Sequence, residues 1–473
     1  MAERLDNMKN LDNMKNMDNK SDEYLKYWEI AKYKMIPHFA IWKEIINEGP
    51  RVITKGDGVY LWDINNNKYI DGMSILWVVN VGHNRKEIIE AIYEQLNKIS
   101  YVSLFGGYYH EKALELSELL TNILGMEAVF FSNSGSEAIE TAIKLAKQYH
   151  YLKGNPNKYK IIGRWHSYHG VTYGALSLSG IRQNRIFFEP LIPGFLHFEV
   201  PYCYRCPFNS RYPECNLRCA DDLERLIEYE GAKTIAAVIV EPVMSALGSV
   251  YAPDIKEYYN RIYKVCKEND ILLIFDEVNN GFGRTGKLFA YEHTGIKPDM
   301  FVFGKGITSG YAPLGATVVS KEIAEIFRDW MFMHGYTFGG HPASAAAAIA
   351  NINIIINEKL YENAHNMGIY LKERLEELKE FDIVGDVRGI GLHYSIEYVS
   401  DKKTKKPISS KFWVAAKIEK ELLKNGVYLA RASVDRTYIA PPLIINKDQI
   451  NFIINALKKS IYKVQQEFFS FKK

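Results

Sequence analysis

The chain has 473 residues, of which 47% are hydrophobic and 24% charged, and its formal net charge is +3. This composition is typical of a globular protein and excludes wholesale disorder, and the length predicts about two or three domains. The near-neutral charge gives no reason to expect a nucleic-acid partner or an acidic membrane surface. Because the chain has no run of about 18 apolar residues and no apolar signal core, we expect a cytoplasmic protein without a membrane span.

The first residues form an unusual leader. LDNMKN occupies residues 5–10 and again 11–16, and the shortened copy MDNK follows at 17–20. Leu and Met recur every three residues, which would permit a frayed amphipathic helix. A terminus that is not tied down is usually disordered, so we predict a mobile tail over residues 1–24.

From about residue 85 to residue 330, apolar runs alternate with segments whose apolar residues have helical spacing. The predicted strands lie at 128–131, 160–162, 235–240, 271–275, 300–303 and 316–319. This alternation predicts an α/β fold with a mostly parallel sheet covered by helices on both faces. The β-rich segment near the N-terminus and the helical C-terminal part predict a small domain built from 25–84 and 341–473, beside a large domain of 85–340.

The loops that follow these strands are the candidates for a ligand site, because open α/β sheets bind ligands at the carboxyl ends of their strands. After the first strand, Gly135 and Ser136 open a helix. Free N–H groups and the helix dipole at such a position both favour a phosphate. Ser134 and Glu137 equally match a capping box, which needs no ligand.

Three further loops contain aromatic or ionisable residues. Tyr168 and His169 follow the second strand, where an aromatic ring could stack on a flat ligand or simply pack in the loop. Glu241 and Asp276 come directly after apolar strands. A carboxylate there is costly to bury without a partner, which makes Asp276 a site candidate, although a capping or salt-bridged acid would look the same.

Lys305 lies between two glycines after the strand at 300–303. Most lysines are solvated surface charges, but a desolvated lysine has a lowered pKa and offers a neutral, nucleophilic amine. A phosphate cradle, a stacking aromatic, a buried carboxylate and a reactive lysine are together the groups that pyridoxal phosphate (PLP) requires.

From about residue 49 to the last helix, the sequence resembles the class III aminotransferases, which are fold-type I PLP enzymes. The resemblance rests on seven segments, at 133–138, 168–170, 241–242, 276–278, 281–286, 304–306 and 337–342. It implies a fold-type I PLP-dependent transferase, with a large domain around a mostly parallel sheet and a smaller α/β domain built from both termini. It also implies a homodimer or a dimer-based tetramer with shared active sites.

The resemblance assigns roles to single residues. It implies that Lys305 is the Schiff-base lysine and proton shuttle, and that Asp276 is the partner of the pyridine nitrogen. The other cofactor-binding residues that it implies are Gly135, Ser136, Tyr168, His169, Glu241, Val278 and Thr337. Among them, Thr337 resembles the residue that reaches a phosphate across a dimer interface. Asn279 stands where many members of the family carry a longer Gln, which can reach the phenolic oxygen of the cofactor. The resemblance does not imply this contact for the shorter Asn279.

Two substrate-binding residues follow from the same resemblance. Trp77 matches a pocket residue that lies against the substrate. Arg431, ten residues before Pro441, matches an arginine that pairs with a substrate carboxylate, and a planar guanidinium suits that role. A surface salt bridge is the alternative for Arg431.

Within the family, the sequence is most similar to the ω-amino-acid:pyruvate and ω-amine transaminases. This similarity implies a ping-pong transfer of an amino group from an amine donor to a keto acid, with pyruvate as the expected acceptor. A racemase or aminomutase of the same fold would share the residues above and is the alternative activity. The sequence does not name the donor.

Four cysteines, Cys203, Cys206, Cys215 and Cys219, have the spacing C-x2-C-x8-C-x3-C. A structural metal, disulfides and reduced loop cysteines are all open on this spacing. We expect the segment to stabilise a surface loop and to do no chemistry, with no metal among the site residues. A non-catalytic metal-binding or nucleic-acid-binding protein built on these cysteines is a second rival, against which the near-neutral charge argues.

Overall fold

The structure is a computed structural model that describes residues 21–429 and 433–472. Most of the predicted leader and Arg431 therefore lie outside the described residues. The first helix begins at Asp22, within the last residues of the predicted leader. Ser21 caps this helix, since its Oγ accepts a hydrogen bond from the Tyr24 amide at 3.2 Å, and Tyr24 and Trp28 are buried.

Fifteen strands are present in the described residues. They are β1 Ile53–Asp57, β2 Tyr60–Asp63, β3 Lys68–Asp71, β4 Ala128–Ser132, β5 Lys160–Arg164, β6 Phe195–Phe198, β7 Ile235–Val240, β8 Leu272–Asp276, β9 Met300–Phe303, β10 Gly315–Val319, β11 Val384–Ile390, β12 His393–Asp401, β13 Lys406–Pro407, β14 Val427–Tyr428 and β15 Arg436–Ile439.

The α-helices of the same ranges cover the sheets. They are α1 Asp22–Tyr33, α2 Trp42–Glu48, α3 Ser74–Trp77, α4 Lys86–Lys98, α5 Glu111–Leu124, α6 Gly135–Leu152, α7 Tyr173–Leu178, α8 Arg182–Arg185, α9 Arg218–Glu230, α10 Ile255–Glu268, α11 Tyr291–Thr294, α12 Lys321–Arg328, α13 Pro342–Asn357, α14 Leu360–Glu376, α15 Val414–Lys424 and α16 Lys447–Lys472. In the described ranges, no helix is both long and apolar enough to cross a membrane.

The central sheet has seven strands in the order β4-β10-β9-β8-β7-β5-β6. Strands β5 to β9 are parallel to one another, and β10 is antiparallel to both of its neighbours. Strand β4 therefore runs in the same direction as the parallel set, and its carboxyl end lies at the same edge of the sheet. The prediction of an α/β fold with a mostly parallel sheet is confirmed.

Burial on both faces explains the continuous apolar strands. All six residues of β7 are buried, as are all five of β8 and all four of β9. A strand that helices cover on both faces has no solvent side, so its residues do not alternate between apolar and polar. Ile239 of β7, for example, lies in one apolar cluster with Ala142 of α6 and Ile274 of β8.

Two smaller sheets flank the central one. The first has the order β1-β2-β3-β14, and Ile70 of β3 pairs in parallel with Val427 of β14. The second consists of β11, β12 and β13, with β15 paired to β12. A C-terminal strand thus completes an N-terminal sheet, as a small domain built from both ends of the chain requires. The boundaries 25–84, 85–340 and 341–473 stay a prediction.

We predict that Ile239→Ala lowers the free energy of unfolding by about 2–5 kcal/mol, because it leaves a cavity between the central sheet and α6. Ile369→Ala, on the half-exposed face of α14, is the matched control and should change it by about 0.5 kcal/mol at most. Chemical unfolding followed by circular dichroism would measure both. Equal losses would contradict the assignment of Ile239 to the core.

Candidate active site

The candidate residues converge at one edge of the central sheet. Glu241 follows β7, Asp276 ends β8, and Lys305 follows β9 in a short 3-10 turn. Because these strands are parallel neighbours, their carboxyl ends lie side by side. The N-terminus of α6 reaches the same edge, since β4 runs in the same direction.

Asp276 forms a buried pair with His169. The distance between Asp276 Oδ2 and His169 Nδ1 is 2.7 Å, and both side chains are almost fully buried. Asp276 Oδ1 accepts a second hydrogen bond from the Val278 amide at 3.0 Å. Among the described residues, His169 Nε2 has no hydrogen-bond partner. The pair gives the carboxylate the partners that its burial requires.

The start of α6 is a capped helix end that is also in contact with the loop after β5. Ser134 Oγ accepts from the Glu137 amide at 3.3 Å, which is one half of the predicted capping box, and the Glu137 carboxylate accepts from the Asn133 amide, one residue before the cap, at 2.7 Å. Ser136 Oγ accepts from the Val171 amide at 3.2 Å. The Gly135 and Ser136 amides are not used by these capping bonds. Both lie in the first turn of α6, where a backbone N–H has no carbonyl of its own helix to which it can donate.

Glycine at this helix start is required by close packing. A methyl group at Gly135 would lie 2.8 Å from Val278 Cγ1, and one at Gly304 would lie 3.1 Å from the Gly135 nitrogen. A methyl group at Gly170 would lie 2.4 Å from Ser136 Oγ. The loops after β5, β8 and β9 therefore all approach the start of α6.

Lys305 points to an amide and an aromatic ring. Its backbone has a φ of 44°, in the left-handed region that few non-glycine residues adopt. Lys305 Nζ donates a hydrogen bond to Asn279 Oδ1 and lies 5.7 Å from the centroid of the Trp77 ring. The shorter Asn279 thus has a contact of its own at the site, with the lysine.

Trp77 belongs to a strained turn that other segments hold in place. Ser74, Ile75 and Trp77 have φ values of 46°, 57° and 56°. Asp71 Oδ1 accepts from the Ile75 amide at 2.8 Å, and Arg284 Nη2 donates to Ser74 Oγ at 2.9 Å. Such strain persists only where the surroundings over-determine it, and it is concentrated at functional sites.

Two buried acids adjoin the Asp276 pair. Glu241 Oε2 accepts from the Ser245 amide at 3.0 Å, Oε1 has no partner, and burial raises the pKa of Glu241 above its usual value. Glu277 accepts from the amides of Ala290 and Tyr291 at 3.0 and 2.7 Å. Burial raises the pKa of Glu277 to about 8. Glu277 is not among the residues predicted from the sequence, because there it is only the second of two adjacent acids after an apolar strand.

The remaining predicted residues are more dispersed. Tyr168 is half-buried in the loop that carries His169, and Val278 follows Asp276. Thr337 is exposed in the segment between α12 and α13, where its carbonyl accepts from Tyr101 Oη at 2.6 Å. Arg431 lies outside the described residues. The structure thus brings the predicted cofactor residues to one sheet edge, except for Thr337 on the surface.

The four clustered cysteines surround one small cavity, and the expectation of a surface loop is wrong for Cys219, which is buried in helix α9. All five cysteines of the chain are free thiols, and the cavity of about 20 Å³ is lined by Cys203, Cys206, Cys215 and Cys219. Burial raises the pKa of Cys203 to about 11 and of Cys219 to about 12. Among the residues described, no three His, Cys, Asp or Glu side chains are arranged to hold a metal ion.

The residues at the sheet edge fit PLP. The first turn of α6, with amides at Gly135 and Ser136, suits an anion such as the cofactor phosphate. The buried Asp276 carboxylate suits a protonated ring nitrogen, and the unpartnered His169 Nε2 shows that the pocket is polar at that point. Lys305 supplies the amine to which PLP binds.

The chain belongs to the aminotransferase class-III family, whose model matches residues 45–461. Aminotransferases of this class are PLP-dependent enzymes, and this protein is one of them. The aminotransferase YhxA of Bacillus subtilis is 41% identical over 423 residues, which are 87% of this chain and 92% of YhxA. The putrescine–pyruvate aminotransferase of Pseudomonas aeruginosa is 37% identical over 430 residues, 90% of this chain and 93% of that protein.

Solved structures agree with this assignment. An (S)-enantioselective ω-transaminase from Thermomicrobium roseum has a TM-score of 0.90 and 38% identity, covering 94% of this chain and 99% of its own. A PLP-bound amine transaminase from an uncultivated Pseudomonas species has a TM-score of 0.88 and 36% identity, covering 91% of this chain and 99% of its own. These relatives are transaminases, so the comparisons do not favour the racemase or aminomutase alternative.

We predict that replacing Cys203, Cys206, Cys215 and Cys219 together by Ser leaves turnover within about threefold of the wild type, since these thiols line a cavity to which none of the site residues described above contributes. Steady-state kinetics on the folded variant, with circular dichroism as the folding control, would measure this. Loss of turnover in a variant that folds and binds cofactor would contradict a purely structural role.

Proposed function

We propose that the protein transfers the amino group of an amine or ω-amino acid to a keto acid, with pyruvate as the acceptor. The observation that carries the proposal is the position of the Lys305 amine over the Trp77 ring, with 5.7 Å between Lys305 Nζ and the ring centroid. A lysine amine beside an indole suits donors whose reacting carbon carries an uncharged alkyl or aryl group. The named activities of the P. aeruginosa and T. roseum relatives support this donor class.

In this proposal, each site residue has one task. The bound cofactor supplies an electron sink for the pair of electrons left when the donor carbon loses its proton. Lys305 removes that proton and returns it, and Asn279 holds the amine in place through its Oδ1. Asp276, fixed by His169 and the Val278 amide, stabilises positive charge on the cofactor ring.

The remaining cofactor residues act by shape and charge. Gly135 and Ser136 would hold the phosphate, and Val278, which nearly touches Gly135, would contact the ring on the side opposite Tyr168. The buried carboxyl of Glu241 lies one strand away from Asp276. Arg431 is proposed to bind the carboxylate of the keto acid, in two parallel hydrogen bonds.

We further propose a homodimer that completes the site through Thr337. An exposed apolar surface surrounds this residue, with Tyr101 against Phe338 at 5.8 Å between ring centroids. Phe105 and Phe338 are 53% and 60% exposed. Contiguous apolar surface of this kind marks a protein interface.

A cytoplasmic location is supported by the five free thiols, which are typical of a reducing compartment.

We predict that the purified protein has an absorbance band near about 410 nm that an amine donor bleaches and pyruvate restores. Lys305→Ala should lose this band and nearly all turnover, because no other amine can take its place. Lys305→Arg, which keeps the charge, is the control and should be equally inactive. Retained turnover in Lys305→Ala would refute the assignment, and the donor that bleaches the band fastest would identify the substrate class.

We predict that Phe338→Asp converts the dimer to a monomer and lowers kcat, since it places a charge in the proposed apolar interface. Tyr229→Asp, at a residue 77% exposed on α9, is the matched control and should leave the dimer intact. Analytical ultracentrifugation would measure the mass of each variant. A wild-type monomer with full activity would contradict the shared site.

A further inference from the structure

His393, the first residue of β12, is a buried residue that the site described above does not use. It is 0% exposed, and within the part of the chain that the structure describes neither of its ring nitrogens has a hydrogen-bond partner. Buried polar groups in native proteins are almost always paired, so an unpaired imidazole calls for an explanation. Burial, together with the charges of Arg284 and Lys305, lowers the pKa of His393 to about 3, and the ring is therefore neutral.

The backbone beside His393 is held firmly. The Leu392 amide donates to the Arg284 carbonyl at 3.0 Å, and Arg284 Nη1 donates to the Leu392 carbonyl at 3.0 Å. Arg284 is fully buried and also donates to Ser74 Oγ, in the strained turn. The same arginine thus fixes the position of His393 and the turn that carries Trp77.

Trp77 packs against both His393 and Tyr438. The ring centroids of Trp77 and His393 are 5.8 Å apart with an interplanar angle of 68°, and those of Trp77 and Tyr438 are 5.2 Å apart at 74°. Both contacts are edge-to-face, the arrangement that aromatic rings prefer. His393 and Tyr438 come from paired strands, because Ser395 of β12 pairs with Tyr438 of β15.

We propose that His393 is a positioning residue that holds the Trp77 ring over the Lys305 amine and so shapes the pocket for the amine donor. This inference rests on the proposed function, since the orientation of Trp77 matters to catalysis only where Lys305 is the reacting amine. His393 acts through Trp77, whose ring it contacts edge-to-face.

The chemistry of imidazole suits this position better than the alternatives. A cationic side chain would place a third positive charge beside Arg284 and Lys305. An aliphatic side chain would fill the volume but would offer no ring edge. Among the described residues, Trp77 Nε1 and the two His393 nitrogens have no hydrogen-bond partner, so the two side chains meet through ring packing and not through a hydrogen bond.

The test compares His393→Leu with the wild-type holoenzyme. We expect the KM for an arylalkyl amine to rise about tenfold, with kcat changed less than about threefold, because Trp77 loses its orientation while Lys305 remains. His393→Asn, which has no ring to pack on Trp77, should show a similar rise in KM, whereas His393→Phe keeps a neutral ring edge and should stay within about threefold of the wild-type KM.

His150→Leu is the matched control for burial. His150 on α6 is also 0% exposed, its Nε2 donates to the Ala236 carbonyl at 2.9 Å, and burial lowers its pKa to about 4. Both histidines stay neutral in the folded protein but take up a proton below about pH 6.5 when the chain is unfolded. Each histidine therefore lowers the free energy of unfolding as the pH falls below that value. Both Leu variants should weaken this acid sensitivity, whereas only His393→Leu should change KM.

Two results would overturn the inference. One is an unchanged KM in both His393→Leu and His393→Asn, and the other is an equal rise in KM in His150→Leu. Should His393→Leu fail to fold, the KM values of His393→Asn and His393→Phe decide the question. A wild-type protein with no band and no transfer to pyruvate would instead refute the proposed function, so the two failures are distinguishable.

Discussion

The site depends on one electrostatic requirement, the burial of the Asp276 carboxylate at the end of a central strand. A charge in that position needs partners, and it has them in His169 Nδ1 at 2.7 Å and the Val278 amide at 3.0 Å. To supply His169, the loop after β5 must fold over the end of β8. That loop also carries Tyr168 and Gly170, and Gly170 packs against Ser136 at the start of α6. Pairing one acid therefore brings three loops together.

A second constraint acts from the small sheets. The turn at Ser74–Trp77 has a backbone that its own residues do not favour, and Asp71 and Arg284 hold it from outside. Ser74 Oγ also donates to the Ala440 carbonyl at 2.8 Å. The wall of the pocket therefore depends on residues distant in sequence, and several independent hydrogen bonds hold the backbone of the turn that carries Trp77.

The sequence predicted most of the candidate site because the carboxyl ends of parallel strands converge in every sheet of this kind. Gly135, Glu241, Asp276 and Lys305 could be named from strand endings alone. His393 could not, because seven of the nine residues of β12 are buried and the strand shows no alternation that would distinguish one side chain from another. The Asn279 contact with Lys305 was also missed, since side-chain reach depends on the backbone angles of both loops.

The sequence by itself determined the fold class, which follows from apolar periodicity, and it indicated the family and the cofactor through short motifs that resemble those of the class III aminotransferases. It also placed four cysteines in one segment. Only the tertiary structure decided that those cysteines are free thiols around a small cavity, that Asp276 pairs with His169, and that His393 and Tyr438 flank Trp77. These are contacts between segments far apart in sequence, and packing, which has no local sequence signature, determines them.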